Sequence, residues 1–215
     1  MNQDNHEAVF ADAWTREGHT SIELNPLDVN KVLAEEYGGV EGLALTRTQL
    51  WDMEVKKAAR PDLFIPGVIR AGTARSWGRR QLESGNEAFI RVSEQRQWLQ
   101  PDNYGTVIEA CYLNHSSQQV TFIGLAEVED DSGQTITASS EQPLFHVVHG
   151  VSGTEETPLN TWRIVHLASD EEGALSERFE VMSQAASLPE YVERYIQDVL
   201  KTPLTRRVSR PSTQS

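Results

Sequence analysis

The sequence predicts an α+β domain in which a curved, seven-stranded antiparallel sheet wraps around a long C-terminal helix, with two short helices after the first strand. Three observations predict it. Residues 68–171 hold six β-rich runs divided by turn residues at short, regular intervals. Residues 174–201 carry an apolar stripe at helical spacing. A lone strand and a capped helix come before both. Short connections between successive strands favour antiparallel pairing, because parallel strands need long crossovers.

The first strand is read at residues 19–25, a short alternating segment. Residues 26–43 are ambiguous: Val29, Val32 and Leu33 have helical spacing, but Gly38 and Gly39 end it. Residues 46–59 read as a helix. Thr46 stands at the N-cap with Gln49 as its capping-box partner, Leu50, Met53, Ala58 and Ala59 form the apolar face, and Lys56 and Lys57 suit the last turn. Pro61 stops this helix, and residues 62–67 read as one helical turn followed by a Pro66–Gly67 turn.

Strands are expected at 69–77, 88–95, 106–114, 120–128, 135–140 continuing into 144–149, and 162–168. In the last helix, Leu175, Phe179, Met182 and Ala186 precede a second stripe that includes Tyr191, Val192 and Tyr195. Pro189 lies between them, with Ser187 and Glu190 placed to cap a new start, so a kink or restart is expected there. Residues 1–17 read as a flexible arm and 202–215 as a disordered tail, leaving 18–201 as one domain.

Composition narrows the function. The chain has 19 Lys and Arg against 32 Asp and Glu, a net charge of −13, which repels nucleic acid and anionic membranes. The single cysteine, Cys111, permits no internal disulfide and no Cys-rich zinc site. No apolar run approaches a membrane span, so a soluble, cytoplasmic protein is expected. A monomer or weak homodimer is expected. No nucleophile elbow, phosphate loop or dinucleotide fingerprint is present, and no metal or cofactor is expected.

The stretch Leu45-Thr-Arg-Thr-Gln-Leu-Trp51, residues 56–60, Pro61-Asp-Leu-Phe-Ile-Pro-Gly67-Val-Ile69 and the later Pro143-Leu-Phe-His146 resemble the START and Bet v 1-like helix-grip superfamily (SRPBCC). Within it, a narrower resemblance is to the AtaL-like, polyketide cyclase-like group, over about residues 19–201. It implies the helix-grip fold, a deep internal pocket and a hydrophobic small-molecule ligand. It carries over no catalytic residue.

Candidate chemistry is therefore sought in the residues themselves. His166 shares a strand face with Trp162 and Ile164 and is the first choice as acid/base; Tyr112, on a face with Ile108 and Ala110, is chosen to orient a carbonyl. His146 and His149 point to opposite faces of their strand, so one can face the pocket while the other faces solvent, and His146 is taken as the catalytic candidate. Glu109 becomes an acid/base candidate if it points inward. The expected ligand wall is Phe64, Ile108, Trp162, Phe179, Met182 and Tyr191. Three functions compete. One is a cofactor-free enzyme of secondary-metabolite biosynthesis, promoting cyclisation, dehydration or isomerisation of a polyketide-, terpenoid- or alkaloid-like intermediate. The alternatives are a non-catalytic carrier or sensor of a hydrophobic molecule, and an acidic interaction module. A wholly apolar pocket favours carriage; convergent polar groups favour an enzyme.

Overall fold

The computed structural model describes residues 5–40, 42–82, 85–184 and 187–207. In chain order it contains α1 (His6–Thr15), β1 (Thr20–Glu23), β2 (Leu27–Asp28), α2 (Val29–Glu36), β3 (Tyr37–Gly38), α3 (Arg47–Ala59) and α4 (Pro61–Phe64). Then come β4 (Arg75–Gln81), β5 (Glu87–Arg96), β6 (Tyr104–Asn114), β7 (Gln119–Leu125), β8 (Glu127–Glu129), β9 (Thr135–Thr137), β10 (Phe145–Gly153) and β11 (Pro158–His166). The chain closes with α5 (Ala174–Ser183), α6 (Glu190–Arg194), a π turn at Tyr195–Val199 and β12 (Thr205–Arg206).

The main sheet runs β1-β11-β10-β7-β6-β5-β4, every pair antiparallel, and β2 adds to the far end of β11. This is the α+β class and the seven-strand path expected. One edge of the sheet is β1, from the N-terminal part of the chain, lying against β11. The other edge, β4, is almost wholly exposed and carries Arg75, Arg79 and Arg80. The sheet turns tightly where β7 meets β10. A Cβ on Gly124 would stand 2.4 Å from the Phe145 carbonyl oxygen, so only glycine fits there.

Boundaries differ from the sequence reading at four places, the first being the strand expected at 120–128, which ends at Leu125 and leaves 127–129 to β8. The strand expected at 69–77 begins at Arg75, because Gly72, with φ +78°, turns the chain first; Ile69 makes only an isolated bridge to Gln95. Residues 135–137 do not continue into β10 but fold back on β8 as a separate hairpin. The last strand starts at Pro158, four residues before Trp162, as the second arm of the β10–β11 hairpin.

On the concave side, α3, α5, α6 and the π turn pack over the sheet. Leu50, Met53, Phe179, Leu188, Val192, Tyr195 and Ile196 share one core with Phe89, Cys111, Phe122, Val147 and Ile164. The C-terminal helix restarts as Pro189 dictates: α5 ends at Ser183, and α6 begins immediately after Pro189.

Residues 6–15 are not the loose arm expected. They form α1, which lies on the convex face and buries Phe10 and Ala13 against Ile123, Val148 and Val165. The apolar residues Val9, Phe10, Ala13 and Trp14 supply that contact, and Arg163 lies over the rings of Phe10 and Trp14. The C-terminal segment is also docked in part. β12 pairs with β3, Arg207 N–H donates to the Glu36 carbonyl at 2.7 Å, and Arg206 binds Glu193. Residues 208–215 of the expected tail lie outside the described residues.

Phe10 is 3% exposed, so Phe10→Ala removes a packed aromatic ring. It is expected to cost about 3 kcal/mol in urea-induced unfolding. An unchanged midpoint would show that α1 adds nothing to the fold.

Candidate functional site

The site starts from the phase of α3. Thr46 and Gln49 form the expected capping box and fix where the helix begins. Residues 50, 53, 54, 57 and 58 then fall on one stripe, so Glu54 and Lys57 sit on the buried face with Leu50, Met53 and Ala58. Glu54 is 0% and Lys57 3% exposed. Their charges pair at 2.6 Å between Nζ and Oε2.

Around this pair the sheet supplies partners. Lys57 Nζ lies 2.8 Å from His149 Nδ1 on β10. Asn160 Nδ2 on β11 donates to Glu54 Oε1 at 2.9 Å, and its Oδ1 accepts from the Tyr191 hydroxyl on α6 at 2.8 Å. Lys57 Nζ also stands 3.9 Å over the Tyr191 ring. A second buried pair lies on the sheet itself. Arg91 Nε donates to Glu109 Oε2 at 2.6 Å, Arg91 Nη1 to the Ala58 carbonyl at 3.1 Å, and Gln95 Nε2 to Glu109 Oε2 at 3.3 Å.

All of these groups except Glu54 and the Ala58 carbonyl line a cavity of about 350 Å³. Its apolar wall is Trp98, Phe122, Phe145, Val147, Trp162, Met182 and Leu188, with Ile65 and Val68 from the segment after α4 and Leu24 and Leu27 from the β1–β2 region. His149 sits among aromatic rings. It stacks on Trp162 at 5.0 Å between centroids and meets Phe122 edge-on at 5.8 Å. The volume suits a small organic ligand. Among the described residues no three His, Cys, Asp or Glu side chains converge as metal ligands.

Burial disfavours every charge here, and neighbours decide the outcome. Burial pushes the Glu54 carboxyl up, but the adjacent Lys57 ammonium overrides it and holds the group well below the usual carboxylate range. Burial draws Lys57 below its ordinary value, against the pull of Glu54. Burial, with Lys57 next, lowers His149, and Glu54 opposes them; its imidazole is neutral near neutrality. Burial and Glu54 raise the Tyr191 hydroxyl, which keeps its proton.

The structure sorts the residues expected from sequence. Glu109, Trp162, Met182 and Tyr191 line the cavity. His166, Tyr112, His146, Phe64, Ile108 and Phe179 do not. Tyr112 and Ile108 are on the opposite face of β6. Ile108 faces outward with its register partners Val92 and Leu125, and Tyr112 stacks on His6 of α1 and accepts from Asn86 Nδ2. The convex face is apolar because α1 covers it, so its residues mimic a pocket wall. His146 also faces outward, where its Nδ1 accepts from the Gly124 N–H at 3.1 Å; His149 is the inward member of the two. His166 does point inward, but it is fully buried between Phe145 and Phe179, beyond the cavity wall. Phe179 packs behind Trp98 and Trp162, and Phe64 belongs to the core while Ile65 takes its place at the wall.

Sequence reasoning missed Glu54, Lys57 and Asn160 as site residues, and it took Arg91 for an exposed strand arginine, whereas Arg91 is buried and holds Glu109. For Glu54 and Lys57 the signal was present: both are in phase with Leu50, Met53 and Ala58.

No family model matches the chain, and no curated protein matches it. Solved structures do. One is the Zhui aromatase/cyclase from Streptomyces sp. R1128, at 11% identity and a TM-score of 0.45, covering 83% of this chain and 95% of that one. Ara h 8.0201 matches at 8% identity and 0.46, covering 82% and 98%. A point mutant of norcoclaurine synthase from Thalictrum flavum matches at 10% and 0.41, covering 79% and 92%. Likeness of this degree carries no chemistry over to this chain.

His166 generates a stability prediction. Both ring nitrogens lack hydrogen-bond partners among the described residues, and burial lowers its pKa to about 4, against a small opposite pull from Asp170. The native state holds this ring neutral, while the unfolded chain protonates it near pH 6.5. The unfolded state therefore binds more protons between pH 6.5 and 4, and stability falls as pH falls through that window. The loss is on the order of 3 kcal/mol. His166→Phe should flatten this part of the curve of unfolding free energy against pH; an unchanged slope would contradict it.

Proposed function

We propose that this protein is an enzyme that takes a hydrophobic polyketide-, terpenoid- or alkaloid-like intermediate into the concave cavity. There it promotes cyclisation, dehydration or isomerisation by positioning and acid/base catalysis. The observation that carries this reading is His149: a neutral imidazole on an aromatic cavity wall, backed by a buried ion pair. A carrier needs only the apolar wall. Burying Glu54, Lys57, Arg91 and Glu109 costs desolvation that well-packed hydrophobic residues would avoid, so the charges point to chemistry rather than to holding.

The roles follow from place. Trp98, Phe122, Phe145 and Trp162 bound the volume in which a flexible chain must fold, and such confinement can supply several kcal/mol of a cyclisation barrier. His149 moves the proton. Tyr191 and Asn160 hold Glu54 in place, and Glu54 holds Lys57.

An open-chain aryl 1,5-diketone, which closes by intramolecular aldol condensation, is a suitable test substrate. The protein is expected to speed closure over buffer, and His149→Phe to cut that rate by roughly 10²–10⁴, the scale of acid/base catalysis, while oxygen-free hydrocarbons still bind. The acid limb of the rate profile should lie below pH about 6.5, because the His149 pKa is lowered. A His149→Phe protein that matches the wild-type rate would remove His149 from the mechanism and leave a carrier.

A further inference from the structure

The hydrogen bonds around His149 fix which of its nitrogens carries the proton. Lys57 Nζ is 2.8 Å from Nδ1, within hydrogen-bond range, whereas the nearest Glu54 oxygen to that nitrogen is 3.7 Å away and too distant. An ammonium only donates, so Nδ1 accepts and the proton of the neutral ring resides on Nε2. Nε2 has no hydrogen-bond partner among the described residues and is not sealed off, and the ring lines the cavity.

Other polar groups of the wall agree. The indole N–H groups of Trp98 and Trp162 are buried without a partner among the described residues, so neither draws on the cavity's acceptors. Its two cations each have a carboxylate at 2.6 Å, Lys57 with Glu54 and Arg91 with Glu109. The wall thus carries no surplus positive charge, and the chain as a whole is at −13.

We infer that Lys57 is a positioning residue which locks His149 as an Nε2–H donor, so that the site takes an uncharged aromatic ligand through a carbonyl oxygen and discriminates against carboxylates. The inference rests on the proposed cavity function and names its ligand class. A proton passed from Nε2 to that oxygen is replaced at Nδ1 from Lys57, which becomes a neutral amine. The burial that lowers the lysine's pKa favours that transfer.

The test uses the full chain and three tricyclic probes: fluorene, 9-fluorenone and fluorene-9-carboxylate. Fluorenone is expected to bind roughly three- to tenfold tighter than fluorene, the gain of one added hydrogen bond, and the carboxylate more weakly than either. Long-range proton–nitrogen spectra of the ¹⁵N-histidine-labelled protein should show a protonated Nε2 and a pyridine-type Nδ1 on His149. The substitution His149→Phe assigns those signals and should abolish the ketone preference while fluorene binding persists. Glu54→Gln combined with Lys57→Met removes both charges together and should release the ring to a mixture of tautomers. A proton on Nδ1, equal affinity for fluorenone and fluorene, a preference for the carboxylate, or an unmoved tautomer in the double variant each overturns the assignment while the cavity still binds ligands. Failure of both fluorene and fluorenone to bind the wild-type protein overturns the cavity function itself, and this inference with it.

Discussion

Burying an ammonium beside a carboxylate under the sheet is the constraint on which the concave side depends. Taken alone, either charge would lose several kcal/mol of hydration and would shed its ionisation. Paired at 2.6 Å, Glu54 and Lys57 remain charged, and the remaining valences of both draw in Asn160 and His149. Asn160 in turn fixes Tyr191, so one face of α3, two sheet strands and the restarted C-terminal helix meet at a single knot of polar contacts. The helix break at Pro189 matters here. Because α6 starts afresh, its first turn presents Tyr191 to Asn160, while α5 supplies Met182 to another part of the wall.

The two ion pairs divide the labour. Arg91 and Glu109 sit directly opposite each other on β5 and β6, and Arg91 also reaches the Ala58 carbonyl near the end of α3. That contact ties the helix end to the sheet floor. It satisfies a carbonyl that the helix itself leaves open.

Much of the fold was legible in the sequence, because its signals are local. Thr46 and Gln49 mark the start of α3, Pro61 its end, Pro189 the restart, and the turn residues divide the strands. The site was less legible, because it depends on strand parity. A shift by one residue exchanges the two faces of a strand. Parity is readable when one face meets water, but here α1 covers the convex side, so β6 presents Ile108, Ala110 and Tyr112 outward and Glu109, Cys111 and Leu113 inward. The outward set is the more apolar, and hydrophobicity selects the wrong face. Glu109 stands alone among apolar neighbours in the sequence, and the structure turns it inward, where it pairs with Arg91. Of the two histidines on β10 the sequence reading took His146, the outward one, because the choice needs the register that sets His149 opposite Trp162. Glu54 and Lys57 were hidden by habit: charged residues on a helix are taken as solvated unless their phase is counted.

A sheet enclosed on both faces still has rims. One rim, β1, begins just after α1 and lies against β11. The other, β4, faces water along nearly its whole length, and three of its seven residues are arginines, with Arg75 held to Asp130 and Arg79 to Glu87. An unguarded strand of that length would be a template for pairing with another copy of itself. The register shift between Trp77 and Arg80 interrupts the ladder that such a pairing would need. A rim that is charged and irregular in register is a poor template for a second strand, which is how an exposed strand of this length escapes ribbon growth.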